Sequence, residues 1–215
     1  MKIGRTVLVT GAVLAALLPA AAARGTVGTH QRVVCTITGT PGNDVLEGTP
    51  ANDVICGLGG NDTINGLNGD DVVLGGKGRD QIRGGRGNDI LKGGKSHDTL
   101  MGDAGDDRLI GRQGGDHLRG ATGDDVIGGG LGNDRGWGSL GVDRLVGAAG
   151  NDVLAGGENN DDVTGGDGND RLKGWSGDDT LDAIDGVNGN DTVMGAGGTD
   201  TCSADGGDIV AGCEP

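Results

Sequence analysis

The chain has 215 residues, and 51 of them are Gly. It carries 32 acidic and 17 basic residues, a formal net charge of −15, with two Trp and neither Phe nor Tyr. The scarcity of aromatic side chains excludes a conventional globular core, four Pro exclude a collagen-like chain, and the acidic excess excludes binding to nucleic acid through phosphates. Two possibilities remain: a disordered polar chain, or a fold that does not depend on a wide core.

Residues 1–23 have the layout of a secretory signal peptide. Lys2 and Arg5 precede an apolar run over residues 7–18, and Ala21-Ala22-Ala23 offers a cleavage site. The run is short for a membrane span, so a membrane anchor is the less favoured alternative. We therefore expect a protein that is exported by a Sec-type route, has no membrane span and acts outside the cell. Cleavage would remove two basic residues and no acidic one, which leaves a net charge of −17.

Four cysteines lie near the ends of the mature chain, and export makes disulfides the expected state. Cys35 lies in a predicted N-terminal cap, residues 24–38, and Cys56 follows soon after. Cys202 and Cys213 lie in a predicted C-terminal cap, residues 201–215. Three pairings are possible. We favour Cys35–Cys56 and Cys202–Cys213, because each would clamp one end, whereas the spacings fit a zinc site poorly.

A nine-residue repeat occupies residues 39–200. Asp recurs at every ninth position for sixteen units, after which the register slips by three residues and two further units follow. The repeated aspartates are Asp44, Asp53, Asp62, Asp71, Asp80, Asp89, Asp98, Asp107, Asp116, Asp125, Asp134, Asp143, Asp152, Asp161, Asp170 and Asp179, and then Asp191 and Asp200. A fixed period of this kind is typical of a repeat architecture.

Other columns keep the same register. Gly stands five residues before each of the first sixteen Asp and two residues before most of them, Asn or Asp directly precedes twelve, and an aliphatic residue follows two positions later except at Gly136. Each unit therefore predicts a tight turn and a three-residue strand with one inward side chain. Two units form an eighteen-residue coil. The predicted fold is all-β, a right-handed parallel β-roll (β-solenoid) of eight to nine coils.

Stacked coils would place Asp above Asp around a thin aliphatic core. Like charges would repel at every step, so the stack needs a divalent cation between successive turns. Carboxylates and backbone carbonyls are hard oxygen ligands, which suit Ca²⁺, whereas transition metals favour His or Cys.

The unit resembles the nonapeptide of the RTX (hemolysin-type) calcium-binding β-roll family. Residues 75–80, 84–89 and 165–170 match all the fixed positions of that motif. The resemblance implies Ca²⁺ binding, with the eighteen repeated aspartates as ligands. Some loops depart from the pattern: the second Gly is present in six of sixteen, and the loops with Ser96-His97, Gly115, Val142 and Asn159-Asn160 are weaker. Many members of this family also leave the cell without an N-terminal signal peptide.

These patterns favour a non-enzymatic, extracellular Ca²⁺-binding protein that folds when the ion binds. The alternative is an adhesin or cell-surface matrix protein that uses the loaded roll as a scaffold. An enzyme is disfavoured because no catalytic groups converge. Calcium ions are the expected partners, and a partner in the cell envelope is left open. Trp137 and Trp175 fall in outward or turn positions, where they would fill local defects or contact a partner.

Overall fold

The chain forms two parallel β-sheets that face each other across a narrow core. A computed structural model describes residues 33–187 and 190–214, so the predicted signal peptide lies outside the described residues. The odd-numbered strands form one ten-stranded sheet, here the odd sheet, and the even-numbered strands form the even sheet. The strands are β1 Ile37–Thr38, β2 Val45–Glu47, β3 Val54–Gly59, β4 Thr63–Asn68, β5 Val72–Lys77, β6 Gln81–Arg86, β7 Ile90–Lys95, β8 Thr99–Ala104, β9 Arg108–Gln113, β10 His117–Thr122, β11 Val126–Leu131, β12 Arg135–Leu140, β13 Arg144–Ala149, β14 Val153–Glu158, β15 Asp162–Asp167, β16 Arg171–Ser176, β17 Thr180–Asp182, β18 Thr192–Gly197, β19 Thr201–Ser203 and β20 Ile209–Ala211.

The strand register confirms the predicted parallel solenoid. Each strand pairs with the strand two places along the chain, at an offset of 18 residues over most of the roll. The offset becomes 21 residues at the β16–β18 and β17–β19 pairs, where the sequence predicted a slip of three. Each sheet has ten strands rather than eight or nine, because short segments at both ends add strands to the ladder.

The strands are longer than the three residues predicted from the aliphatic column. Most contain six residues. In β5, for example, Val72, Val73 and Leu74 pair with β7, Gly75 is skipped, and Gly76 and Lys77 pair again. Gly76 has a φ of 116°. The chain therefore bends within the strand while its hydrogen-bonded ladder continues, and the first residues of the predicted turn belong to the sheet.

The core is a single file of aliphatic side chains, one from each repeat. All fifteen predicted members are at most 3% exposed, and Ile37 and Val193 extend the file at its ends. At Gly136 the file has no side chain. A Cβ built there would lie 2.9 Å from Leu154 and 3.6 Å from Ile127 and Leu145, so neighbouring side chains occupy the space. The core is continuous along the roll but only one side chain wide.

Eleven non-glycine residues in the described ranges adopt a left-handed backbone conformation. Most stand where the consensus unit has its second Gly, as at Leu58, Ala121, Ala148 and Trp175, with φ between 77° and 98°. This conformation costs an L-amino acid about 1–2 kcal/mol. The loops that depart from the motif therefore keep its backbone shape at a cost in stability.

Replacing one of these residues by Gly should stabilise the roll. Ala148→Gly should raise the free energy of unfolding by about 0.5–1 kcal/mol, because the relief of the left-handed strain exceeds the entropic cost of Gly. The neighbouring Ala149→Gly is the control, since Ala149 has no positive φ, and it should lower stability by about 0.5–1 kcal/mol. Chemical denaturation in saturating Ca²⁺ measures both changes. If Ala148→Gly proves less stable than the native chain, the left-handed backbone at Ala148 does not carry the inferred strain.

Two disulfides close the ends of the roll. Cys35 pairs with Cys56 and Cys202 pairs with Cys213, which is the favoured pairing. No described cysteine is free, so the alternative of a zinc site built from cysteines is wrong. End coils have a neighbour on one side only, and the covalent links tie them to the ladder where stacking is weakest.

Candidate metal centre

The eighteen predicted aspartates form two buried columns along the edges of the roll. Each Asp stands just before a strand, and stacking of the coils brings the residues of one edge above one another. The even column, before the even strands, consists of Asp44, Asp62, Asp80, Asp98, Asp116, Asp134, Asp152, Asp170 and Asp191; the odd column consists of Asp53, Asp71, Asp89, Asp107, Asp125, Asp143, Asp161, Asp179 and Asp200. All are at most 7% exposed. Burial of so many carboxylates requires compensation.

One oxygen of each carboxylate links successive coils. The backbone N–H of each Asp donates to Oδ1 of the next Asp in its column, with N···O distances of 2.6–3.0 Å. The carbonyl oxygen of each Asp accepts a backbone hydrogen bond from that next coil, as Asp125 O does from Arg144 N–H at 2.8 Å. The carboxylates therefore hold the turns in register through protein contacts alone.

The second oxygen has no protein partner. Oδ2 is buried and without a hydrogen bond in sixteen of the eighteen aspartates, from Asp62 and Asp71 onward. The exceptions are Asp44 and Asp53, which begin the two columns. Thr40 donates to Asp44 Oδ2 through its backbone N–H at 2.5 Å and its hydroxyl at 2.9 Å, and Thr49 does the same for Asp53 at 2.7 and 2.8 Å. A buried, charged oxygen without a donor needs a cation or a proton.

The invariant first Gly of each unit makes room for that oxygen. A Cβ at Gly57 would lie 2.4 Å from Asp62 Oδ2 and 2.5 Å from the Gly75 carbonyl oxygen, and at Gly129 it would lie 2.3 Å from Asp134 Oδ2 and 2.8 Å from the Gly147 carbonyl. Neither Gly has a positive φ. Space, and not backbone conformation, requires Gly here, and a carboxylate and a carbonyl converge on the space that a side chain would fill.

Burial raises the pKa of most of these carboxyls. Desolvation is the largest cause, and neighbouring aspartates of the same column add to it at many positions. The pKa reaches about 7 at Asp89, Asp98, Asp125, Asp134, Asp161 and Asp170, and about 6 at Asp80, Asp107 and Asp143. Without a cation, the columns hold their negative charge at neutral pH only at a cost in free energy.

The donor set fits Ca²⁺. Within the described ranges no three His, Cys, Asp or Glu side chains form a cluster, so an ion here would need backbone carbonyls beside the aspartates. Ca²⁺ accepts mixed oxygen ligands in loose geometry. The Oδ2 atoms and the glycine carbonyls beside them would hold the ion, which would supply the positive charge that the columns lack.

The Asn or Asp that precedes most of the column aspartates makes a different contact. Its side chain is exposed and its Oδ1 accepts the backbone N–H of the residue 18 positions later, as from Asp106 to Asn88 at 3.0 Å and from Asp124 to Asp106 at 3.0 Å. The loops that depart from the motif differ mainly in these exposed hydrogen bonds between coils. His97 Nδ1 replaces the amide oxygen and accepts from Gly115 N–H at 2.6 Å. The buried Oδ1 contacts continue unchanged through these loops.

A model of the RTX calcium-binding nonapeptide repeat matches the chain in overlapping segments that together span residues 38–208. The chain belongs to the RTX calcium-binding repeat family. The RTX repeats account for the spacing of both Asp columns, and the family supports Ca²⁺ as the ion. No curated protein matches the chain at a significant level. No helix in the described part of this RTX chain is long and apolar enough to cross a membrane.

Proposed function

We propose that the chain is a non-enzymatic, extracellular Ca²⁺-binding RTX roll whose folding depends on the ion. The observation that carries this proposal is the set of sixteen buried Oδ2 atoms without a donor. Each would gain its missing partner from a cation between successive turns. Two columns of nine turns have sixteen gaps, so sixteen ions is the upper limit, two more than the first sixteen repeats alone would allow.

Ion binding and folding are coupled in this proposal. The apolar core is one side chain wide, and the ladder stacks buried carboxylates at both edges. Binding free energy that is available only in the folded state adds to the stability of that state. We therefore expect a weakly structured chain without Ca²⁺ and a β-roll with it.

An oxidising, calcium-rich compartment suits this behaviour. Both disulfides favour a setting outside the cytosol, and residues 1–23 are predicted to direct export. Extracellular modules bind Ca²⁺ with Kd of about 10⁻⁴–10⁻³ M. We expect affinities in this range.

A calcium titration of residues 24–215 tests the function. Equilibrium dialysis should give several bound Ca²⁺ per chain, and far-UV circular dichroism should gain β signal over the same range of concentration. Mg²⁺ at equal concentration should produce much less of either, because it demands tighter octahedral geometry. Less than one bound Ca²⁺ per chain, or an equal response to Mg²⁺, would overturn the proposal.

A further inference from the structure

Most acidic residues and most basic residues occupy different parts of the roll. The described residues include thirteen Lys and Arg, and all except Arg79 lie in strands. The carboxylates of the two columns lie at the turns. In a chain with a net charge of −15, the surfaces of the sheets are therefore locally cationic.

The odd sheet carries the most uniform of these surfaces. Strands β3, β5, β7, β9, β11 and β13 contain neither Asp nor Glu. The second and fourth residues of each of these strands are buried, and the side chains at the remaining positions form a surface that we call the odd face. Its cations are Lys77, Lys92, Lys95, Arg108, Arg112 and Arg144, and its large apolar residues are Val54, Leu58, Val72, Leu74, Ile90, Ile110, Val126, Leu131 and Val146.

Little within the described chain neutralises this charge. Arg144 Nε lies 3.6 Å from Asp162 Oδ2 at the border with β15, where acidic residues reappear. No ion pair among the described residues involves the other five cations. Leu58 and Leu131 are 49% and 57% exposed. The odd face thus combines open apolar side chains with net positive charge over six adjacent strands.

The composition of the odd face argues against a protein partner. Protein interfaces are enriched in Trp, Tyr and Arg and depleted in Lys. Three of the six cations here are Lys, no aromatic residue is present, and Gln113 is the one uncharged polar side chain apart from the disulfide-bonded Cys56. A surface with so few aromatic and uncharged polar side chains has little means to recognise one folded partner.

A lipid surface with anionic headgroups matches both properties of this face. Lys and Arg extend their charged ends towards phosphates while their stems cover apolar surface, and aliphatic side chains can enter the boundary between headgroups and acyl chains. Each cation near such a surface strengthens binding about fivefold.

We propose that the odd face docks the roll onto an anionic lipid bilayer. This goes beyond Ca²⁺ binding and needs only that the roll is folded. The opposite face supplies an internal reference, because Trp137 and Trp175 lie in β12 and β16 of the even sheet and stacked sheets lie about 10 Å apart.

Vesicle sedimentation in millimolar Ca²⁺ tests the docking with matched variants. The chain should bind phosphatidylcholine vesicles that contain 30% phosphatidylglycerol and should bind pure phosphatidylcholine at least tenfold more weakly. Lys92→Gln with Lys95→Gln should weaken binding about 25-fold. Arg119→Gln with Arg171→Gln removes equal charge from the even sheet and should change binding less than threefold. Equal losses from the two pairs, or no loss from either, would overturn the proposal, the latter because Ca²⁺ would then bridge lipid and turns.

Quenching of Trp fluorescence by brominated lipids reports which face of the bound roll lies on the bilayer. The variant that it needs keeps every charged residue. The native Trp137 and Trp175 should be quenched weakly on bound vesicles, and the added indole of Ile110→Trp should be quenched strongly. Strong quenching of the native pair would place the even sheet on the lipid and overturn the proposal. Circular dichroism of each variant in Ca²⁺ shows that it is folded. A roll that folds without Ca²⁺ would refute the proposed dependence of folding on the ion, but the lipid-binding experiments could still be interpreted.

Discussion

In EDTA the chain should be unfolded at pH 7.5 and should gain β structure as the pH falls towards 4. The reason is the raised pKa of the buried column carboxyls, which reaches about 7 at Asp89, Asp125 and Asp170. Between their ordinary pKa of 3.8 and these values, the folded chain binds more protons than the unfolded chain. Its stability therefore falls as pH rises through this window and is lowest above pH 7.

Protonation would replace the ion only in part. A neutral carboxyl removes the repulsion within each column, but it does not tie a carboxylate to a neighbouring carbonyl as a divalent ion would. We therefore expect the acid-induced signal to be smaller than the signal in Ca²⁺ at pH 7.5.

Far-UV circular dichroism from pH 4 to 8, in EDTA and in millimolar Ca²⁺, measures this dependence at low protein concentration. With Ca²⁺ the β signal should persist from pH 7.5 down to the point at which protons displace the ion. A chain that is equally folded in EDTA at pH 7.5 and pH 4.5 would show that the columns impose no electrostatic cost.

Two adjacent glycines should respond in opposite ways to the same substitution. Gly129→Ala places a methyl group 2.3 Å from Asp134 Oδ2 and 2.8 Å from the Gly147 carbonyl oxygen. The backbone of the turn or the carboxylate must move, so we expect a loss of about 3 kcal/mol in the free energy of unfolding in saturating Ca²⁺. The number of bound Ca²⁺ should also fall by one or two.

The neighbouring Gly128→Ala is the matched control. A Cβ at Gly128 meets no atom within 4 Å, and its φ is not positive. This substitution should raise stability by about 0.5–1 kcal/mol, because Ala loses less conformational freedom on folding than Gly. Chemical denaturation and calcium dialysis of both variants measure the contrast. Similar stabilities of the two would refute the role assigned to the first Gly of the repeat.

The period of the sequence predicted the architecture well, because one residue type fixed each column. The step of nine between aspartates predicted both the parallel stack and the shift after Asp179, and the aliphatic column predicted the core from Leu46 to Leu181. Cysteines near both ends predicted the disulfides. Each of these features depends on spacing along the chain, which sequence displays directly.

Features that depend on contacts between coils were less accessible. The three-residue strands predicted from the sequence are shorter than the strands of the structure, because the hydrogen-bonded ladder continues past Gly75 to Lys77. The first and second Gly look alike in the repeat, yet Gly129 provides space and Gly130 provides a φ of 117°. The exposed Asn88 holds a neighbouring turn, which its position beside Asp89 does not reveal. The odd face, which has cations and no acidic residue across six strands, appears only when strands 18 residues apart are placed side by side.

Thr40 and Thr49 provide the first coil with hydrogen-bond donors to Oδ2 that later coils lack. Their N–H and hydroxyl groups satisfy Asp44 and Asp53, so this coil buries its two carboxylates with protein donors alone. Cys35–Cys56 ties the same end to β3. In every later coil, Oδ1 of the column Asp accepts a hydrogen bond from the backbone N–H of the preceding Asp in that column, as Asp62 Oδ1 does from Asp44. Growth of the roll therefore has a direction: the amino-terminal coil is a template whose carboxylates have protein donors, and each coil is completed by the next eighteen residues of the chain.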